Sequence, residues 1–398
     1  MCLKLLEWES SFLVFPSNSI KTMTSHVSTI VPNESSATSV LSPTSSNITD
    51  TLSAETFFST YPINGQGAFL PWDNPDNVIS RETYAIITTV SNCFVYPLLF
   101  LVGVPTNVLN CVVFRRQGLG DRMNLCLFCL ALIDMFYLIV LTVQAASTFV
   151  TFVDEVVGTE YYVQSLVSCL GVGWGFKAAS GCISAVIAVE RCFCVVRPFA
   201  VNSLMRTSTM GWLLAAIAVS TQVVGVFQPL AYTGERTEDK ESGEIRWNIV
   251  TTELYGDNQV LFDFILVVFL RFGLPLVSFI VVSVATAITV VQLKVAARWR
   301  GDHSMMSHTG SRQQDALTIV LVLLSCIYIA CAAPLVAVAL VRLLVIDFSP
   351  EGRFSNICIA SHVLGTVFSA VNSSVNFFVY YRMSSSYRKA LLSLRGGS

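Results

Sequence analysis

Charge is what this chain has least of. Of its 398 residues only 13% are Asp, Glu, Lys or Arg, while 53% are hydrophobic. A soluble domain carries roughly twice that share of charge. The apolar residues fall in long runs, so the chain reads as an integral membrane protein. No long basic run or aromatic-basic patch is present, which argues against a nucleic-acid partner. Histidine is scarce and scattered, at His26, His303, His308 and His362. Most of the twelve cysteines lie inside apolar runs, where they serve as small hydrophobes. No metal site is therefore expected. Serine, histidine and acid residues nowhere converge on a catalytic spacing, so no enzyme is expected.

What is present begins with a polar tail. Residues 1–84 are rich in Ser, Thr and Pro and lack a periodic apolar face, the pattern of a disordered segment. Asn33-Glu34-Ser35 and Asn47-Ile48-Thr49 are glycosylation sequons. Glu7 and Glu9 interrupt the apolar opening, which makes it a poor signal peptide; the first span is expected to target the chain.

Seven apolar spans follow, at about 88–114, 124–150, 163–196, 208–232, 260–295, 315–345 and 356–381. Each is long enough for a hydrocarbon core that needs about 20 residues. Residues 384–394 then place Tyr387, Leu391 and Leu394 at i, i+4 and i+7, with Arg388 and Lys389 between them. That spacing predicts a short amphipathic helix on a membrane surface. The expected fold is all-α: a tail over 1–84, seven membrane helices over 85–383, and a surface helix with a short end over 384–398.

The loops set an orientation. Residues 115–123 hold three cations and one acid, 197–207 two and none, 294–310 three and one, and 382–398 four and none. On the other side the tail holds three cations and eight acids, and 233–259 three and seven. Residues 151–162 add Asp154, Glu155 and Glu160 to that side. The positive-inside rule then puts the N-terminus outside and the C-terminus in the cytoplasm of a plasma-membrane protein.

A few polar residues sit at membrane depth, where they are expensive. Asn107 lies in the first span and Asp134 in the second, with Ser180 in the third and Asn372, Ser373 and Asn376 in the seventh. These can form an oxygen-lined cage for sodium, or for a proton and water, or a network that only locks helices together. The third span ends at the charge pair Glu190-Arg191.

Seven spans with polar residues at these places resemble the rhodopsin-like G-protein-coupled receptors. Asn107 matches that family's first-helix asparagine and Asp134 its second-helix aspartate. Glu190-Arg191-Cys192 stands where the family has Asp-Arg-Tyr, and Trp212 matches its fourth-helix tryptophan. Pro275 and Pro334 match helix prolines, and 372–380, ending at Tyr380, matches NSxxNPxxY. The resemblance implies an extracellular ligand, a heterotrimeric G protein and membrane lipid as partners. It implies no cofactor beyond the sodium ion of the Asp134 cage. Glu190, Arg191, Cys192 and Tyr380 would then serve G-protein coupling, while Pro275, Tyr328, Pro334 and Phe377 mark kink and switch positions.

The departures matter. The family's CWxP is Cys331-Ala332-Ala333-Pro334, so the tryptophan of the pocket floor is missing. The NPxxY proline is Phe377, which removes a cause of kinking. Residues 233–259 hold no cysteine for the usual outer-loop disulfide, which leaves Cys93 and Cys358 as candidates for a substitute. No lysine falls within 356–381, so there is no retinal anchor. This altered signature looks like divergent invertebrate receptors of the FMRFamide-peptide or molluscan chemosensory-like kind.

Helical spacing from Arg191 puts Gly173, Trp174 and Lys177 at the pocket level, with Gly173 and Lys177 on one face. Arg271, Ala332 and His362 are expected there too, and Arg342 either at the mouth or at the interface. Lys177 and Arg271 suit an acidic ligand; internal pairing, for example with Asp263 or Glu253, or snorkelling is the plainer reading. A transporter or channel is the rival class, although no internal repeat is seen. A non-signalling receptor-fold decoy or partner is the other.

Overall fold

The computed structural model describes residues 77–197, 206–238, 245–302, 309–345, 347–349 and 352–395. Asn33 and Asn47 lie outside them, as does most of the 1–84 tail. Among the described residues seven helices are long and apolar enough to cross a membrane. They are α1 (Arg81–Gln117), α2 (Arg122–Val153), α3 (Glu155–Val196), α4 (Thr207–Ala231), α5 (Gln259–Arg298), α6 (Leu317–Leu344) and α7 (Ser355–Met383). The shorter α8 (Ser385–Arg395) follows α7.

Local chemistry sets the corners. After α1 the chain turns at Gly118, whose φ of 97° is a backbone region that favours glycine. Asp121 then caps α2, its carboxylate accepting from the backbone N–H groups of Met123 and Asn124. Asp154 ends α2 and also caps α3 by accepting from Val157 N–H. The expected loop over 151–162 is thus reduced to one residue. Glu155 in the first turn of α3 complements the helix dipole, and Gly158 fits closely against Thr151.

The helices close into a bundle around α3, which packs against α2, α4, α5 and α6, while α7 packs against α6, α1 and α2. The main core lies toward the α8 end and includes Val113, Phe114, Met123, Leu127, Ile183, Leu321 and Tyr380. Large apolar side chains such as Leu101, Trp212, Val219 and Ile280 face outward. Such a surface suits lipid and not water. Trp212, at 77% exposure, belongs to that lipid-facing set.

Two helices meet backbone to backbone. A Cβ at Gly171 of α3 would run into the carbonyl oxygen of Gly225 in α4, and one at Gly225 into that of Gly171. Gly171→Ala is expected to cost about 1–3 kcal/mol by overpacking. Thermal melting of the purified protein checks this. Gly120→Ala, where a Cβ meets nothing within 4 Å, serves as the neutral control.

Two features were not foreseen. Residues read as an outer loop form an antiparallel hairpin, β1 (Tyr232–Glu238) with β2 (Ile245–Thr251), in which Tyr232 pairs with Thr251. The hairpin sits on α3, with Gly234 close to Val163 and Gln164. Within α5, Phe264–Gly273 is a π-helix that ends just before Pro275. Proline has no N–H to offer the carbonyl four residues back, here that of Arg271, and wide turns often accompany such a gap. The helix α7 runs unbroken through Phe377, as the missing proline implies.

Candidate functional site

Between the helices lies a cavity of about 530 Å³. That is ample for a small organic molecule. It is lined by α1 (Tyr84, Thr88, Asn92), α2 (Tyr137), α3, α5, α6 and α7. Most of the wall is apolar, including Leu166, Leu170, Val268, Phe272 and Leu335. Lys177, Arg271, Arg342 and His362 all line it, and no Asp or Glu does among the described residues.

Trp174 organises these basic groups. Lys177 Nζ lies 4.4 Å from the centre of its indole, Arg271 Cζ 5.8 Å and the His362 ring 5.6 Å. Both cations are within cation–π range. His362 in turn stands in the field of Lys177, Arg342 and Arg271. The π-helical stretch of α5 carries Arg271, Phe272 and Gly273 to the cavity wall. Arg271 Nη2 donates to Gln228 Oε1 of α4 at 3.1 Å. Asp263, the alternative acid partner, accepts from the Tyr255 hydroxyl at 2.9 Å.

Ser180, Asn372 and Ser373 form part of the cavity lining, and two of them grip Asp134. Ser180 Oγ donates to Asp134 Oδ1 at 2.7 Å, Ser373 Oγ to the same oxygen at 2.8 Å, and Asn376 Nδ2 to Oδ2 at 2.9 Å. Asn107 Nδ2 donates to the Ser373 carbonyl at 2.7 Å. The chain of bonds continues toward α8. Asn110 Nδ2 donates to Asn107 Oδ1 at 3.4 Å, and the Tyr387 hydroxyl donates to Asn110 Oδ1 at 2.6 Å. Burial pushes the Tyr387 hydroxyl above the ordinary phenol range, so it stays a donor. A ligand that touches Ser180 or Ser373 therefore touches a network that runs to α8.

At the α8 end of α3, Glu190 is fully buried and Arg191 nearly so. Arg191 Nε donates to Glu190 Oε2. Arg122, the first residue of α2, donates from Nε to Glu190 Oε1 at 2.7 Å. The Cys194 thiol also donates to Oε1, at 3.3 Å. Each carboxylate oxygen thus has a cation of its own.

A family model described as "Serpentine type 7TM GPCR chemoreceptor Srw" matches residues 90–396. The chain belongs to this family. No curated protein matches it. The Srw match covers every helix from within α1 to α8 and leaves out the tail.

The Srw receptor departs from its sequence reading at several places. Gly173 does not line the cavity. A Cβ there would meet Val140 Cγ1 of α2 at 3.3 Å. Asn372 lines the cavity and takes no part in Asp134's hydrogen bonds. Cys192 packs against the cluster of Ala188, Val282, Ala285 and Tyr328. Tyr380 is buried edge-on against Phe114 and beside Tyr387. Phe377 fills the same region, 6.0 Å from both Tyr381 and Tyr387. Ala332 and Pro275 do line the cavity, and Tyr328 joins them, with its hydroxyl set toward Gly181. Pro334 lies inside α6.

Tyr387, expected on a membrane-facing surface, is 1% exposed and part of the core. Cys93 and Cys358 form no disulfide with each other, and Cys358 Sγ donates to the Phe348 carbonyl. Cys126 and Cys129 show a Cys-x-x-Cys spacing within α2, but no metal-binding group of three or more ligands occurs among the described residues. Arg122 and Asn110 were missed. Asn110 follows Asn107 by one helical turn and was readable from that spacing. Arg122 carried no signal, since its partner lies 68 residues away.

Proposed function

We propose that this Srw receptor binds a small organic anion from outside the cell and activates a heterotrimeric G protein. The observation that carries the reading is a cavity whose charged side chains are all basic among the described residues, two of them over Trp174. A carboxylate or sulfate suits Lys177 and Arg271 best, because ion pairing and hydrogen bonding act together there. The same charge disfavours a cationic amidated peptide of the FMRFamide type. The loop charges favour an extracellular N-terminus. Glu190 and Arg191 would then face the cytoplasm.

The ligand would bias a two-state equilibrium. Its contacts at Ser180 and Ser373 would shift the Asp134 network, and α6 would swing from α3 about Pro334. A released Arg191 would then meet the C-terminal helix of the G protein in a groove. A sodium ion would be held by the oxygens of Asp134, Ser180 and Ser373, and would neutralise the carboxylate in the resting state. Asn376 would have to turn its amide oxygen inward to join them.

The test is a screen of small carboxylates, sulfates, their neutral esters and amidated peptides against G-protein activation in cells. Activation by acids and not by esters is expected. Responses to esters and acids alike would overturn the anionic class. Ion flux in liposomes without G protein would favour the transporter reading.

A further inference from the structure

We infer that Arg122 is a positioning residue that makes the release of Arg191 affordable, a role that rests on the signalling reading above. Glu190 has 0% side-chain exposure and two arginine partners from two helices. Arg122 Nε reaches Oε1 at 2.7 Å from α2, and Arg191 holds Oε2 from α3. Arg122 Nη2 also lies 3.7 Å from Cys194 Sγ, and that thiol donates to the same Oε1.

Consider what happens when Arg191 leaves. A buried carboxylate stripped of its only cation is strongly unfavourable. With Arg122 in place, Glu190 keeps one charge-assisted bond and one neutralising cation. The pair left behind is balanced, and Arg191 departs as the surplus positive charge. Without Arg122 the carboxylate depends on Arg191 alone, so the resting pair tightens. Arg122 thus works in the opposite sense to a lock: its removal should favour the resting state. Arg122 is held where it can do this by the Asp121 cap, which fixes the first turn of α2, and by Thr207 Oγ1, which donates to the Gly120 carbonyl at 2.9 Å and ties the preceding turn to α4.

Two measurements on the full-length receptor test this. In a cell assay of G-protein activation, Arg122→Gln should lower basal and evoked signalling about tenfold at equal surface expression. Arg122→Lys should restore part of it. In a Glu190→Gln background, where no carboxylate needs a cation, Arg122→Gln should change nothing. Higher basal signalling in Arg122→Gln, or an equal drop in both backgrounds, overturns the proposal.

The second measurement is a thermal-melting cycle on purified receptor, which needs no G protein. Arg122→Gln should lower the melting temperature more in Arg191→Ala than in wild type, because only there does it strand Glu190. Additive losses overturn the shared pairing. Coupled melting with no signalling from any variant would reject the receptor activity while upholding the pairing. Additive melting in a receptor that signals would do the reverse.

Discussion

Cells expressing Lys177→Ala are expected to answer a small carboxylate agonist with about 10–150-fold lower potency, the range of one charge-assisted hydrogen bond of about 1.5–3 kcal/mol. The physical reason is that this side chain sits on the cavity wall over Trp174 with no acidic residue among the lining. An incoming acid group supplies the missing counter-charge in a low-dielectric setting, where the attraction is large. Lys177→Arg should retain part of the potency, since it keeps the charge. Arg271→Ala should show a similar loss, moderated by its bond to Gln228. The neutral amide of the same agonist separates this from general damage, because its weak potency should not fall further. Equal acid potency in wild type, Lys177→Ala and Arg271→Ala would remove the anion reading.

Arg191→Ala is expected to bring G-protein activation to background while ligand binding changes by less than about threefold. The split follows from where the residue sits. Arg191 lies some four helical turns from Lys177 along α3, outside the cavity lining. Its loss does not strand Glu190, because Arg122 remains bonded to Oε1. The fold should therefore persist with the effector contact gone. Radioligand or fluorescent-ligand binding beside a G-protein assay, at matched surface expression, measures both halves. Unimpaired signalling would sink the role given to Arg191.

The spans were legible because the hydrophobic runs needed for a bilayer are long and the charges that end them are few. All seven helices fall within a few residues of the expected bounds, except that α1 and α3 begin about seven or eight residues earlier. Those early turns are built by polar caps, Ser80 and Asp154, which hydropathy does not see. The Asp134 cluster was legible because polar atoms at membrane depth must find one another. Side-chain direction was less so. Gly173 was placed by counting four residues from Lys177, but a glycine has no side chain to reach a cavity, and the space beside it is taken by Val140 of α2. The hairpin was hidden by its charges, since a two-stranded ribbon open to water needs no apolar alternation. Arg122 was hidden for the opposite reason, as one more basic residue in a loop expected to be basic.

The single-residue junction at Asp154 has a mechanical consequence. It fastens α2 to α3 at the hairpin end, where the Tyr161 hydroxyl also donates to the Val143 carbonyl at 3.0 Å. Ser180 and Asp134 fasten the same two helices midway, and Arg122 and Glu190 fasten them at the α8 end. The pair is a ladder with a rung at each end and one in the middle. On the proposed activation such a ladder would act as a stator, and the travel would fall to α5, α6 and α7, the rotor that turns against it. Probes attached to α2 and α3 would keep their separation through the cycle, and the moving signal would come from α6.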